Sequence, residues 1–267
     1  KFLSEHVDTI VLRGDSGDSQ VAVVPAYQGR VMTSTATGDN GTSFGWINYE
    51  QVAEGMDADA QINVFGGEER FWLGPEGGQF SIFFRPGAKF EFSNWQTPPL
   101  IDTEPFDIVE QDDARVQFQK EASLKNYSGS SLQFRIGRNV ELLSDAAAAR
   151  SLNVELEGIQ FVGYQTTNRL TNTGKADWKK ENGLLSIWLL GMYKPGPRTT
   201  VVIPYRPGPE DELGSVVNDA YFGKVPEDRL KVADSVIYFS GDGTYRSKIG
   251  ILPQRSTGIC GSYDAKR

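Results

Sequence analysis

At 267 residues the chain has room for one large β domain or two average ones, and its 39% hydrophobic and 11% aromatic content marks a folding rather than a disordered sequence. A net charge of −8 and an isoelectric point near 4.9 argue against nucleic acid and anionic membranes as partners, because both select basic surfaces. No apolar run approaches the roughly 20 residues of a membrane-spanning helix, and a lone cysteine, Cys260, allows no internal disulfide and leaves the redox compartment open.

The chain begins at Lys1 rather than at a methionine. A cleaved secretion signal would explain this and place the protein in the periplasm or outside the cell. An engineered boundary on a cytoplasmic protein explains it equally well.

Along the chain, "RGDSGDS" (13–19) and "GDNG" (38–41) read as polar turns, and "GTSFG" (41–45) as a tight loop before Trp46. That loop matches the G-x-S-x-G pattern of serine hydrolases, but the single histidine, His6, lies upstream of Ser43, and the strand-to-helix context is missing. His6 reads as a surface or capping residue. Asp15 and Asp18 supply too few oxygens for a calcium loop, and one histidine with one cysteine nearly excludes zinc, so neither metal nor cofactor is expected.

Period-two alternation predicts antiparallel strands at 79–84, with Phe80, Ile82 and Phe84 on one face, around Val116 and Phe118, and at 132–136. "YSGSS" (127–131) supplies the turn between the last two. "SDAAAAR" (144–150), with Ser144 as N-cap, predicts about two helical turns, and "KADWKKENG" (175–183) one turn ending at Gly183. "LLSIWLLGMY" (184–193), "TTVVIPY" (199–205) and "SVIYFS" (235–240) are apolar on both faces and suit strands buried between layers. Asp242-Gly243 predicts a hairpin between Val236–Phe239 and Tyr245–Leu252. Pro/Gly-rich loops fall at 194–198 and 206–214, with no internal repeat and no low-complexity linker. The sequence therefore reads as one all-β domain over residues 1–267, a large sandwich of antiparallel sheets with few short helices. It stops in "GICGSYDAKR", where the second strand of a hairpin would be expected to follow, so the natural protein is expected to continue.

One stretch carries the functional question. "GGEERFWLGPEGGQF" (66–80) sets Glu68, Glu69 and Glu76 beside Phe71, Trp72 and Phe80, punctuated by glycines. Pro75 and the Gly77-Gly78 pair make a turn, with Glu76 either solvated or presented next to an aromatic platform. Sugars use such a pairing: a flat face for their C–H surface and fixed polar groups for their hydroxyls.

The segments "VVPAYQGRVMTSTA" (23–36), "GGEERFWLGPEGGQFSIFF" (66–84) and "TNRLTNTG…GLLSIWLLGMY" (167–193) resemble an uncharacterised bacterial family of mutarotase-like proteins. That group is similar in turn, more loosely, to galactose mutarotase (aldose 1-epimerase) and related β-supersandwich proteins. The resemblance implies a supersandwich fold and a sugar site near Gly29-Arg30-Val31 and Gly66-Gly67. The chain departs from the mutarotase pattern where it matters: Phe65 stands where a histidine precedes the Gly-Gly, no histidine follows His6, and the segment that would carry the glutamate base lies beyond Arg267. Mutarotation by the usual residues is therefore not expected.

What the resemblance implies is a carbohydrate-binding or carbohydrate-active protein whose partner is a sugar or sugar-derived molecule. The alternative is a non-enzymatic module that holds a glycan or another protein. Glu69 and Glu76 are the clustered carboxylates that could act as acid and base. Arg30, Arg70 and Trp72 are the binding candidates of the two motif segments, with Asn168, Asn172, Trp188 and Arg255 as additions. A wholly structural reading of 66–80 makes a different forecast, namely a buried Trp72 with Glu76 paired to Arg70 or to backbone N–H groups.

Overall fold

Strands form here where alternating residues find a partner strand to complete their hydrogen bonds. The computed structural model describes residues 1–264. Its contacts divide the chain into two compact units, Lys1–Tyr193 and Lys194–Arg267. The boundary falls at the start of the Pro/Gly-rich loop 194–198.

The first unit holds nine strands: β1 (Ile10–Arg13), β2 (Gln20–Val24), β3 (Arg30–Thr35), β4 (Arg70–Gly74), β5 (Asp107–Gln111), β6 (Arg115–Lys125), β7 (Ser131–Leu142), β8 (Tyr164–Asn172) and β9 (Ser186–Leu190). β1-β2-β3 make an antiparallel sheet, β5-β6-β7-β8 a second one, and β4 pairs with β9. The alternating strands lie where the sequence puts them: Val116 and Phe118 on β6, and Leu132, Phe134, Ile136, Val140 and Leu142 on β7, are all buried. They pack with Leu12, Val21, Val23 and Val31 of the first sheet and Phe71, Trp72 and Leu73 of β4 in one core. The other face of the first sheet carries a smaller core, where Val24, Tyr27, Met32 and Phe65 meet Leu3 of α1 (Phe2–His6) and Val52 of α2 (Tyr49–Glu54). The alanine run forms α3 (Asp145–Leu152), with the Ser144 side chain accepting from the Ala147 N–H. The turn before Gly183 is a single 3₁₀ turn, Lys180–Asn182.

The second unit contains β10 (Thr199–Pro204), β11 (Leu230–Val232), β12 (Val236–Ser240) and β13 (Gly261–Asp264), in the order β11-β12-β10-β13, and a short helix, α4 (Glu210–Leu213). The molecule is thus mostly antiparallel sheet with few short helices. No helix among the described residues is long and apolar enough to cross a membrane.

Three expectations are corrected. Residues 79–84 are not a strand. The Ile82 N–H bonds back to the Pro75 carbonyl, and Ser81 donates to the Glu76 carbonyl while accepting from the Phe83 N–H. The segment therefore satisfies itself as a turn, and buries Ile82 and Phe83 from there. β9 is not sandwiched between layers: Ile187, Trp188 and Leu189 are 36%, 40% and 44% exposed. An apolar run records hydrophobicity, not which neighbours arrive to cover it. The hairpin after Asp242-Gly243 also fails. Asp242 does cap a turn by accepting from the Thr244 N–H and hydroxyl, but β12 pairs with β10 and β11 rather than with the residues that follow.

Candidate functional site

Elementary sterics decide the first part of the 66–80 segment. Gly66 and Gly67 hold φ of +85° and +114°, which L side chains rarely adopt. A Cβ on Gly66 would sit 2.3 Å from the Trp46 carbonyl oxygen, and one on Gly67 2.9 Å from both Arg30 Cδ and the Val31 oxygen. The glycine pair lets this segment lie against β3, where Val31 and Glu69 exchange N–H···O bonds of 3.1 Å and Arg30 donates to the Gly66 carbonyl at 3.0 Å. The two motif segments therefore meet.

Past this point β4 takes over, and its alternation separates the candidates. Arg70 and Trp72 share a face, with the Arg70 guanidinium 4.1 Å from the indole centroid. Arg70 also donates to Asp102 at 2.8 Å and to the Ile101 carbonyl at 2.9 Å. Asp102 is held in turn by the Asn63 backbone and side-chain N–H groups. Burial brings the Arg70 pKa down to about 10, with Asp102 opposing. Trp72 is 1% exposed, packed against Phe83, and its Nε1–H donates to Glu76 at 2.9 Å. The expectation of an aromatic platform at Trp72 is thereby corrected: both the ring and its polar edge are already taken inside the protein.

Glu69 lies an odd number of positions from Trp72, so it leaves the chain on the opposite face. Its Oε1 accepts from Arg138 Nη1 at 2.9 Å. Arg138 also donates to Asn168 Oδ1 at 2.7 Å and to the Gly29 carbonyl at 3.0 Å. Glu69 and Glu76 flank β4, about 17 Å of extended chain at about 3.3 Å per residue, with their carboxylates engaged on opposite faces. The acid–base pairing of Glu69 with Glu76 is thereby corrected, since two-carboxylate sugar chemistry wants a separation of roughly 5 to 9 Å across one substrate.

Around Arg138 the structure gathers Arg30, Glu69 and Asn168. Arg138 escaped the sequence reading although a signal was present: extending the 132–136 alternation by one step places an arginine at an inward position. Arg30 is 1% exposed, and its guanidinium carbon lies 5.7 Å from the ring centroids of both Tyr27 and Phe65, which stack on each other. Burial holds Arg30 well below the usual guanidinium range, and nearby Arg70 and Arg138 push the same way against Asp102 and Tyr27.

Glu68, on the other face of the same segment, was also missed as a site residue. It is 3% exposed, and accepts from the Ser34 N–H at 2.6 Å, the Ser34 hydroxyl at 2.8 Å and the Thr33 hydroxyl at 3.3 Å. Burial raises its pKa, and hydrogen bonds from Ser34, Thr33 and Tyr164 only partly offset this. Tyr164, at the start of β8, is driven well above the phenol range by burial and then by Glu68, Tyr193 and Glu69. Thr33 further links to Ser43 Oγ at 2.7 Å. The "GTSFG" serine is thus one end of a hydroxyl line to a buried carboxyl, and no histidine belongs to it.

Thr33, Ser34 and Ser43 also line a cleft of about 570 Å³ over the face of the first sheet that carries the smaller core. Its rim brings together Asn40, Tyr49 and the Arg13–Asp39 ion pair of 3.3 Å. A Gln20 hydrogen bond, then Arg13, hold Asp39 below its ordinary carboxylate range. Tyr49 is 50% exposed and touches Phe2 edge-on.

The remaining candidates lie elsewhere. Asn172 builds a turn, accepting from the Gly174 N–H and donating to the Ala176 carbonyl. Trp188 is the cross-strand partner of Trp72 on β9. Arg255 belongs to the second unit, where its guanidinium binds the carbonyls of Arg206, Gly208 and Gly214 and pins the 206–214 loop. Among the described residues, no group of three or more His, Cys, Asp or Glu side chains is placed to hold a metal ion.

Two solved structures are similar to this chain at low identity. A galactose mutarotase-like protein from Lactobacillus casei ATCC 334 matches 92% of this chain at 12% identity and a TM-score of 0.45, and this chain spans 64% of its length. The Slr1438 protein from Synechocystis sp. PCC 6803 matches 80% of this chain at 15% identity and a TM-score of 0.44, with 68% of its own length covered. No curated protein matches the chain. The sequence profile that fits it runs over residues 1–267, and the chain belongs to that family, DUF6786, a family of unknown function.

Proposed function

We propose that this protein is a carbohydrate-binding protein of mutarotase-like supersandwich type, and that its sugar or sugar-derived ligand sits in the cleft between α1, the first sheet and the 38–43 loop. The observation that carries this reading is the meeting of a half-exposed Tyr49 ring with Asn40, Ser43, Thr33 and the Arg13–Asp39 pair around about 570 Å³. Small-molecule sites commonly have about 300–1,000 Å³ and a few fixed polar groups. A pyranose needs a flat apolar face together with donors and acceptors for its hydroxyls, and this rim supplies both.

Binding without turnover is favoured over catalysis by the separation of Glu69 from Glu76 and by the engagement of both carboxylates with internal donors. The test is a thermal-shift screen with monosaccharides, uronic acids and oligosaccharides, repeated on Tyr49→Ala, Asn40→Ala and Glu76→Ala. A ligand at about 100 times its dissociation constant adds roughly 2.7 kcal/mol of stability. The expected outcome is a shift lost in the two cleft variants and kept in Glu76→Ala. A shift indifferent to Tyr49 and Asn40 moves the site elsewhere, and no shift with any sugar ends the carbohydrate reading.

A further inference from the structure

Arg30 carries an unfilled demand. It is 1% exposed, and while Nη1 donates to the Gly66 carbonyl, Nε and Nη2 have no hydrogen-bond partner among the described residues. Those two nitrogens form the side-on edge of the guanidinium, the fork that grips two oxygens of one anion. A buried donor left unmade is costly, and native interiors almost always supply a partner. Arg70 Nε and Arg138 Nη2 are unpartnered and buried as well.

Charge makes the same demand. Arg30 feels the fields of Arg70 and Arg138, and the carboxylates that answer these three cations are Asp102 and Glu69. Three guanidinium groups against two carboxylates leave one positive charge in the interior. Glu68 does not supply the balance: it is not among the charges that act on Arg30, and burial pushes its carboxyl toward the neutral form. Water could fill the fork, but it would leave that charge in place, and an uncompensated buried charge is the costlier defect. A single monoanion answers both. Arg30 is 1% exposed, with the stacked Tyr27 and Phe65 ring centroids each 5.7 Å from its guanidinium carbon, so the fork is closed to bulk solvent.

We propose that the Nε/Nη2 fork of Arg30 holds a small monovalent anion inside the first unit, distinct from the sugar cleft. Halide and small carboxylate share the required chemistry, and the burial of the fork favours them over bulky anions.

The experiment follows the melting temperature while chloride or formate is raised about a hundredfold at constant ionic strength, with gluconate as the balancing anion too large to enter. The expected result is a rise of several degrees with chloride or formate that Arg30→Met and Arg30→Gln abolish. Formate exceeding chloride would assign the two-oxygen grip, and chloride exceeding formate a spherical occupant. Because either variant can fail to fold, crystals of the unaltered chain grown in bromide provide a second readout, an anomalous peak within hydrogen-bonding distance of Arg30 Nε and Nη2. A melting temperature indifferent to the anion, with no bromide at Arg30, would assign the fork to water and overturn the proposal. So would an anion-dependent rise that persists in the variants.

Discussion

Arg138 and Glu69 face each other at 2.9 Å, with the guanidinium wholly withdrawn from solvent and the carboxylate side chain 12% exposed. The contact ties β7 to the segment that precedes β4, and the same guanidinium reaches the Gly29 carbonyl, so three separate stretches of chain meet at one cation. Removing one partner of a buried pair leaves the other uncompensated, which typically costs about 3–5 kcal/mol. Glu69→Ala is therefore expected to lower unfolding free energy in urea by about that amount. Adding Arg138→Met should recover most of the loss, since an apolar side chain suits a position between Ile136 and Val140. Equal and additive losses in the two single variants and the double variant would show that the pair is not coupled in solution.

Trp72 and Glu76 form the second such relationship. The carboxylate closes the turn after β4 by accepting from the indole N–H at 2.9 Å. Glu76→Ala strands a buried donor and should cost about 1–3 kcal/mol, while Glu76→Gln keeps an acceptor oxygen and should cost about 1 kcal/mol or less. Thermal denaturation followed by tryptophan fluorescence separates the two. If Glu76→Ala melts with the unaltered chain, the hydrogen bond does not hold the turn. Sugar binding in the cleft is expected to be indifferent to either change.

Much of this was legible from the residues, and the exceptions share a cause. Alternation located β6 and β7 because one face of each strand is buried, and the alanine run with Ser144 located α3 because its cap and propensity are local. The unit boundary lies at the Pro/Gly-rich 194–198 loop, which the sequence reading takes as a loop within one domain rather than as a division of the chain. Residues 79–84 alternate as cleanly as a strand does, but Ser81 and Pro75 compete for the backbone hydrogen bonds within the turn, which a period cannot reveal. β9 is apolar on both faces yet lies largely exposed, because exposure depends on which neighbours cover it. At the site, the sequence brought Arg30 and Glu69 to one neighbourhood through their motif segments. It credited Trp72 and Glu76 with a ligand when their partners were each other. It passed over Glu68 and Arg138, since only tertiary contact shows that one carboxyl is sealed among hydroxyls and one guanidinium sits in an apolar sheet face.

The last expectation concerns Glu68. Burial raises its folded-state pKa above its ordinary value of 4.5, against hydrogen bonds from Ser34, Thr33 and Tyr164. The folded protein therefore binds the Glu68 proton more tightly than the unfolded chain does. By linkage, the stability this group contributes is fully present below its unfolded pKa and is lost as pH rises through the raised, folded one. Glu68→Gln cannot ionise, so the unfolding free energy of the unaltered chain relative to this variant should fall as pH rises above the ordinary value of 4.5 and through the raised, folded one. Asp39 acts outside this window, because its depressed pKa makes its contribution in acid and leaves it constant above. Urea midpoints of both proteins across the range give the comparison directly. A difference that stays flat would mean that Glu68 titrates the same folded and unfolded. One that grows with pH would mean that the Ser34, Thr33 and Tyr164 donors outweigh burial and stabilise the carboxylate.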